Sequence, residues 1–373
     1  MTAPHPAGRG DPPPAGSILL DPDGGRSTGR HDESASARGP VVPADRPGDR
    51  GERRARAEAI GRRLGDLIGQ PDELAGVAVV RLRDLADPAY AESERRVAPG
   101  LGPTHGIPWP LLRAVSRGFA RSTRSDRPAV LLAVAERLLR VDTLDEHWLA
   151  FDILERVLPS EPELAWQLLR AAASRAADWI TVDSLAHAYG RGILLADYRW
   201  AEIGQLVYSP SRWERRLVGS TVATIPFIDR RLGRDPTVAE RALPILHDLI
   251  GDDAPEVQKA LAWALRSLTL VDPEAVLAAC SREAETARAT SDGNRAWVVR
   301  DVLPKLEPSE AERLRALLSG IRRRPGAPPT SRASEIANAF APAGLPPPPS
   351  HPRPPLPATP PPTPAAKERI ARP

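Results

Sequence analysis

The 373-residue chain contains one cysteine, one methionine and three lysines. The lone Cys280 excludes a disulfide framework and any cysteine-rich zinc site. No apolar run reaches the roughly 18 residues that a membrane span requires. Near the N-terminus, Ile18-Leu19-Leu20 is too short for the apolar stretch of a signal peptide, so a cytoplasmic location is expected. The seven histidines are scattered, with no HExxH and no ligand pair, and no metal or other cofactor is expected. Gly190-Arg191-Gly192 follows no strand and reads as a helix interruption, and a phosphate-binding loop is absent.

Proline, by contrast, is abundant, and its placement divides the chain. Of 43 prolines, 9 fall in residues 1–50 and 17 in residues 325–373. The terminal stretches mix Gly, Pro, Ser and Arg without periodicity, and the C-terminal one contains Pro346–Pro349, Pro354-Pro355 and Pro360–Pro362. Such segments bury too little apolar surface to offset the entropy of ordering. Residues 1–52 and 323–373 are therefore expected to be disordered tails around a folded domain at 53–322. A plain solubilising extension is expected at the C-terminus, with a Pro-rich docking motif as the alternative.

Charge divides in the same way. The sequence pI near 9.3 suggests a polyanionic partner. However, the formal charge of +3 comes mostly from residues 325–373, and the middle is close to neutral. Net charge alone therefore makes no case for nucleic acid; only clustered arginines could.

Within 53–322 apolar residues recur at spacings of three and four, as in Ala129–Leu139, Trp148–Leu158, Leu164–Ala173 and Val257–Leu268. Breaks come at Pro128, Pro159 to Pro162, Ser209-Pro210-Ser211, Asp235-Pro236-Thr237, Asp252-Asp253 and Asp272-Pro273. Paired helices in series predict an all-α, HEAT-like solenoid. The eight tryptophans outnumber the four phenylalanines and the four tyrosines. Trp148, Trp166 and Trp297 lie in apolar stripes and read as core.

One segment carries a different pattern: Asp178-Trp179-Ile180-Thr181-Val182-Asp183. At the start of a helix, Trp179 and Asp183 are i and i+4 and share a face, an aromatic plate beside a carboxylate. Arg216 follows 37 residues after Trp179, and Trp263 follows 47 after that. Each gap approximates one repeat, so equivalent helices could bring all four side chains to one concave surface. Singly, each has a plainer reading: a solvated Asp, a core Trp, a surface Arg. His187, one turn past Asp183, reads as a helix-face histidine rather than a dyad partner.

These residues, with His105-Gly106-Ile107-Pro108-Trp109, Glu146-His147-Trp148, Trp213-Glu214-Arg215-Arg216 and Lys259–Arg266, resemble the AlkD-type DNA alkylation repair glycosylases over roughly residues 73–318. The chain departs from that pattern in its tails and at Ser267. The resemblance implies a monomeric, monofunctional glycosylase acting on double-stranded DNA that carries cationic alkylated purines such as 3-methyladenine and 7-methylguanine, in a cytoplasmic, nucleoid-associated setting. It places Asp183 as the active-site carboxylate, Trp179 and Trp263 as the active-site tryptophans, and Arg216 at a phosphate; the neighbouring Arg215, Lys259 and Arg266 are further candidate DNA contacts. A bifunctional lyase would need a Schiff-base lysine; Lys259, the only lysine nearby, is expected at the surface. The alternative is a non-catalytic HEAT-like scaffold for DNA or protein.

Overall fold

The computed structural model describes residues 47–98 and 100–340. They form sixteen α-helices and no strand. In chain order these are α1 (Pro47–Gly65), α2 (Pro71–Arg83), α3 (Pro88–Val97), α4 (Trp109–Ser122), α5 (Pro128–Leu138), α6 (Leu144–Val157), α7 (Pro162–Ala173) and α8 (Trp179–Leu195). The second half continues with α9 (Arg199–Gln205), α10 (Arg212–Ile228), α11 (Pro236–Leu249), α12 (Pro255–Leu268), α13 (Pro273–Thr290), α14 (Gly293–Val302), α15 (Pro308–Leu317) and α16 (Arg332–Phe340). None is long and apolar enough to cross a membrane.

The prolines of the middle are helix starters. Pro71, Pro88, Pro128, Pro162, Pro236, Pro255, Pro273 and Pro308 each open a helix, where the missing N–H costs nothing and the fixed φ is already helical. Aspartates cap several helix starts, with or without a proline: Asp87, Asp178, Asp235, Asp272 and Asp292 accept backbone N–H groups of the first turn.

The helices stack in two lanes. One runs α1, α4, α6, α8, α10, α12, α14, each packed on the next; the other passes through α2, α5, α7, α11, α13 and α15. This is the HEAT-like solenoid that the periodicity predicts, and a single continuous core of Ala, Leu, Val and Ile runs between the lanes. Trp148 and Trp166 are buried in it, and Trp297 packs against it half-buried.

Three expectations need correction. First, Gly190 and Gly192 do not interrupt a helix: α8 runs through both. A Cβ at Gly192 would strike the Trp166 ring, so the glycine lets a neighbouring helix approach. Second, α1 begins at Pro47, ahead of the boundary expected at residue 53. Third, residues 323–340, expected to be disordered, are ordered and end in α16. This helix buries Ala333, Ser334 and Ala337, and the Ser334 hydroxyl donates to Asp252 Oδ2 at 2.6 Å. Ahead of it, Thr330 N donates to Gly251 O at 2.9 Å. A short amphipathic helix offsets its ordering cost by docking on a preformed surface, which composition averaged over a proline-rich window conceals. The remaining tail expectations, on residues 1–46 and 341–373, lie outside the described residues.

Candidate active site

The site is built from the head of α8. Asp178 is extended (φ −148°, ψ 162°) and caps the helix: its Oδ1 accepts Thr181 N at 2.8 Å and its Oδ2 accepts the Thr181 hydroxyl at 2.7 Å. That cap makes Trp179 the first helical residue and puts Asp183 one turn on, over the same face, followed by His187 and Arg191. The Trp179 indole N–H donates to the carbonyl of Val97 at the end of α3, at 3.1 Å, which fixes the ring's tilt.

Asp183 is 6% exposed and both its oxygens are held. Arg216 on α10 reaches Oδ1 through Nε at 3.0 Å and Oδ2 through Nη2 at 2.7 Å, a fork-on-fork pair. Ser220, one turn along α10, donates its hydroxyl to Oδ1 at 2.6 Å. Arg216 Nη1 donates to the Glu256 carbonyl on α12 at 2.6 Å, tying three successive helices of one lane together. The same guanidinium lies 5.8 Å from the centre of the Trp179 ring. Close approach of α10 and α12 depends on Gly219, where any Cβ would collide with the Ala260 backbone.

A groove of about 650 Å³ opens beside this network, walled by α4, α6 and α8. Asp183, most of whose surface is covered, lines it together with Trp109, Arg113, Trp148, His187 and Arg191. Trp109 and Trp148 meet edge to face with centroids 4.7 Å apart. His187 does not pair with Asp183; its Nδ1 lies 2.8 Å from Glu155 Oε2, and Arg191 Nε donates to Glu155 Oε1 at 2.8 Å. Burial pushes the Glu155 carboxyl up, but His187 and Arg191 outweigh it and hold its pKa below the usual range.

Trp179, Asp183 and Arg216 thus come into direct contact. Trp263 lies farther along the lane on α12, half-buried against the core, and makes no hydrogen bond or ring contact among the described residues. Lys259, one turn before it, is exposed. The expectation that Arg215 and Arg216 face DNA phosphates is corrected by their burial. Arg215 is 3% exposed and donates through Nε to Asp252 at 2.8 Å and through Nη1 to the Ser209 carbonyl at 2.9 Å. Arg216 is committed to Asp183 and Glu256. Arg266 forms an ion pair with Asp301, and burial lowers its pKa. Of the four expected DNA contacts, only Lys259 stands in the open.

Sequence reasoning missed Ser220, whose role depends on a contact 37 residues away in the chain. It also missed a trio at the other end of the groove wall. His105, Asp145 and Glu146 bring one ligand atom each within 4.8 Å of one another, a set that could hold a cation. Most of their polar atoms are already engaged, although the buried Glu146 Oε2 has no hydrogen-bond partner among the described residues. His105 Nε2 lies 3.0 Å from Glu146 Oε1, and Asp145 accepts from the Thr104 hydroxyl, His105 N and Ile107 N. The trio therefore acts as a clip between loop 104–107 and the head of α6.

Residues 79–292, more than half of the chain, match the family model described as DNA alkylation repair enzyme. No curated protein matches the chain, and no solved structure does. The matched stretch contains Trp179, Asp183, Arg216, Ser220 and Trp263.

Proposed function

The chain belongs to the DNA alkylation repair enzyme family, and on that premise we propose that it hydrolyses the N-glycosidic bond of cationic alkylated purines, 3-methyladenine and 7-methylguanine, in duplex DNA. The observation that carries this reading is the carboxylate of Asp183, gripped through both oxygens by Arg216 and Ser220 on a residue that lines the groove.

A purine alkylated at a ring nitrogen already bears positive charge and needs no general acid. The C1′–N bond breaks with its electron pair passing to the purine ring, which becomes neutral. Positive charge then grows on the sugar, and a fixed carboxylate stabilises it where it develops. Asp183 supplies that charge and accepts a hydrogen bond from the water whose oxygen bonds to C1′; the water's proton passes to Asp183 or to solvent. Arg216 and Ser220 keep the carboxylate aimed, so little reorganisation is needed at the moment of reaction. Trp179 and Trp263 face the cationic lesion and sugar, each contributing on the order of 0.5–2 kcal/mol by cation–π attraction. Lys259 is exposed rather than enclosed beside Asp183, which favours hydrolysis over a Schiff-base lyase.

The test is release of 7-methylguanine from methylated duplex DNA by purified wild type and by Asp183→Asn, with the fold checked by circular dichroism. Release by wild type and its loss in the variant support the reading. If wild type releases no alkylated base, the glycosylase reading fails. The rival, a non-catalytic DNA-binding or protein-interaction scaffold, then takes its place, and it draws on the same burial: a fully paired Asp183–Arg216 bridge is also how a lane of helices is clamped.

A further inference from the structure

Helix α4 carries Trp109, Arg113, Arg117 and Arg121 at successive intervals of four residues, which puts all four on one stripe. Like charges at this spacing cost a helix a few tenths of a kcal/mol per pair. The stripe is only partly compensated. Arg121 pairs with Glu58 on α1, a carboxylate already shared with Arg62 at 3.1 Å. Arg113 and Arg117 have no hydrogen bond or ion pair among the described residues, and both line the groove that contains Asp183.

Helix α1 brings a further cation to the same place. It extends the lane by one helix and packs on α4 so closely that a Cβ at Gly61 would strike the Val115 carbonyl, and one at Gly118 the Glu58 carbonyl. That contact holds Arg54, exposed and without an ion pair among the described residues, next to the stripe. Burial and then the charge of Arg54 lower the pKa of Arg117; Glu58 opposes them, and the charges of Arg113 and Arg121 add smaller lowering effects. The acids in the groove do not cancel this field. Glu155 is matched by His187 and Arg191. Asp152 accepts the Ser116 hydroxyl, and burial raises its pKa.

We infer that Arg54, Arg113 and Arg117 form a phosphate-binding ridge that carries the DNA backbone across α4 and α1, on the opposite wall of the groove from Asp183. This rests on the DNA reading above and goes beyond it: α1 lies outside the family-matched residues 79–292, so the ridge lengthens the footprint in the N-terminal direction. It also supplies the backbone contacts that the buried Arg215 and Arg216 do not. Guanidinium groups on a sugar–phosphate backbone fix register without reading sequence. The ridge therefore acts alike on damaged and undamaged duplex.

The experiment measures binding of the full chain to a fluorescent undamaged duplex over a series of KCl concentrations. Each phosphate contact contributes about 0.9 to the slope of log K against log salt. The combined Arg54→Gln, Arg113→Gln, Arg117→Gln variant should have a slope shallower by about two to three units. The lysine version of the same three positions, which keeps the charge, should recover most of it; failure to recover would overturn the electrostatic role. Arg121→Gln, whose side chain is spent on Glu58, should change the slope by less than about one unit. A triple glutamine variant that retains its helicity and the wild-type slope overturns the ridge while leaving the DNA reading intact. Wild type that does not bind duplex at all overturns both.

Discussion

The Ser220 hydroxyl lies 2.6 Å from Asp183 Oδ1, the same oxygen that Arg216 Nε approaches at 3.0 Å. A serine buried between helices for one hydrogen bond is a positioning residue, since it touches the carboxylate rather than the reacting atoms. Ser220→Ala should lower single-turnover release of 7-methylguanine by about tenfold, the equivalent of one hydrogen bond to a charged group. Substrate KM should change little, because Ser220 meets neither base nor backbone. A serine serving only to fill space would leave kcat where it was.

The Arg216 side chain predicts a stability effect as well as an activity effect. Removing one member of a buried pair leaves the other as an uncompensated charge, at a cost of about 3–5 kcal/mol. Arg216→Ala should therefore shift the urea midpoint strongly downward. Asp183→Asn keeps one acceptor for Arg216 and should shift it less. The double variant Asp183→Leu, Arg216→Met should be more stable than the sum of the single losses, and a double-mutant cycle by urea denaturation measures that coupling. Additive losses would show that the two side chains act independently.

Trp179 can be separated into a ring and a hydrogen bond. The Trp179 ring centre lies 5.8 Å from the Arg216 guanidinium carbon; Trp179→Phe keeps an aromatic face there but loses the bond to Val97 O. It should retain most of the preference for cationic over neutral lesions. Trp179→Ala should lose about tenfold in release of cationic bases. Comparing release of 7-methylguanine with that of a neutral lesion distinguishes the two roles.

Glu94 gives a pH dependence of stability. It is 8% exposed, its Oε2 has no partner, and burial followed by the nearby Asp145 charge raises its pKa to about 7. Its folded pKa lies above the unfolded value, so its contribution is fully present below pH about 4.5 and declines as pH rises toward 7. Above that, the buried charge costs about 3 kcal/mol. Glu94→Gln should therefore stabilise the protein at pH 8 and change it little at pH 4.5. Thermal melts at the two values check this; an equal shift at both would assign the effect to packing.

The head of α8 was legible in the sequence because every signal there is local. Asp178 is a capping residue, Trp179 and Asp183 are one turn apart, and no distant contact is needed to place them. The faces of Arg215 and Arg216 were not legible. Adjacent helical residues point about 100° apart, so on an ordinary surface helix one of the two would face solvent. But α10 buries every residue from Arg215 to Pro226, and both arginines turn inward, Arg216 to Asp183 on α8 and Arg215 to Asp252 in the loop before α12. Ser220 and the arginine ridge were hidden for the same reason. Each is assembled from helices whose register only packing decides. The C-terminal helix was hidden differently, because its nine residues sit in a proline-rich stretch.

That helix, with α1 at the other end, separates two boundaries that are usually assumed to coincide. The residues matched to the family, 79–292, stop short of both the first helix of the lane and the strap from Thr330 to Ala337 that fastens Gly251 and Asp252. A fragment cut at the family borders would keep Trp179, Asp183, Arg216 and Ser220 and lose both end helices. Val115 and Phe119 on α4, and Leu249 and Ile250 at the end of α11, are buried in the full chain and would meet water in the fragment. Such an excised piece should elute as oligomers on size exclusion. The smallest portable unit of this protein is therefore larger than the part it has in common with its relatives.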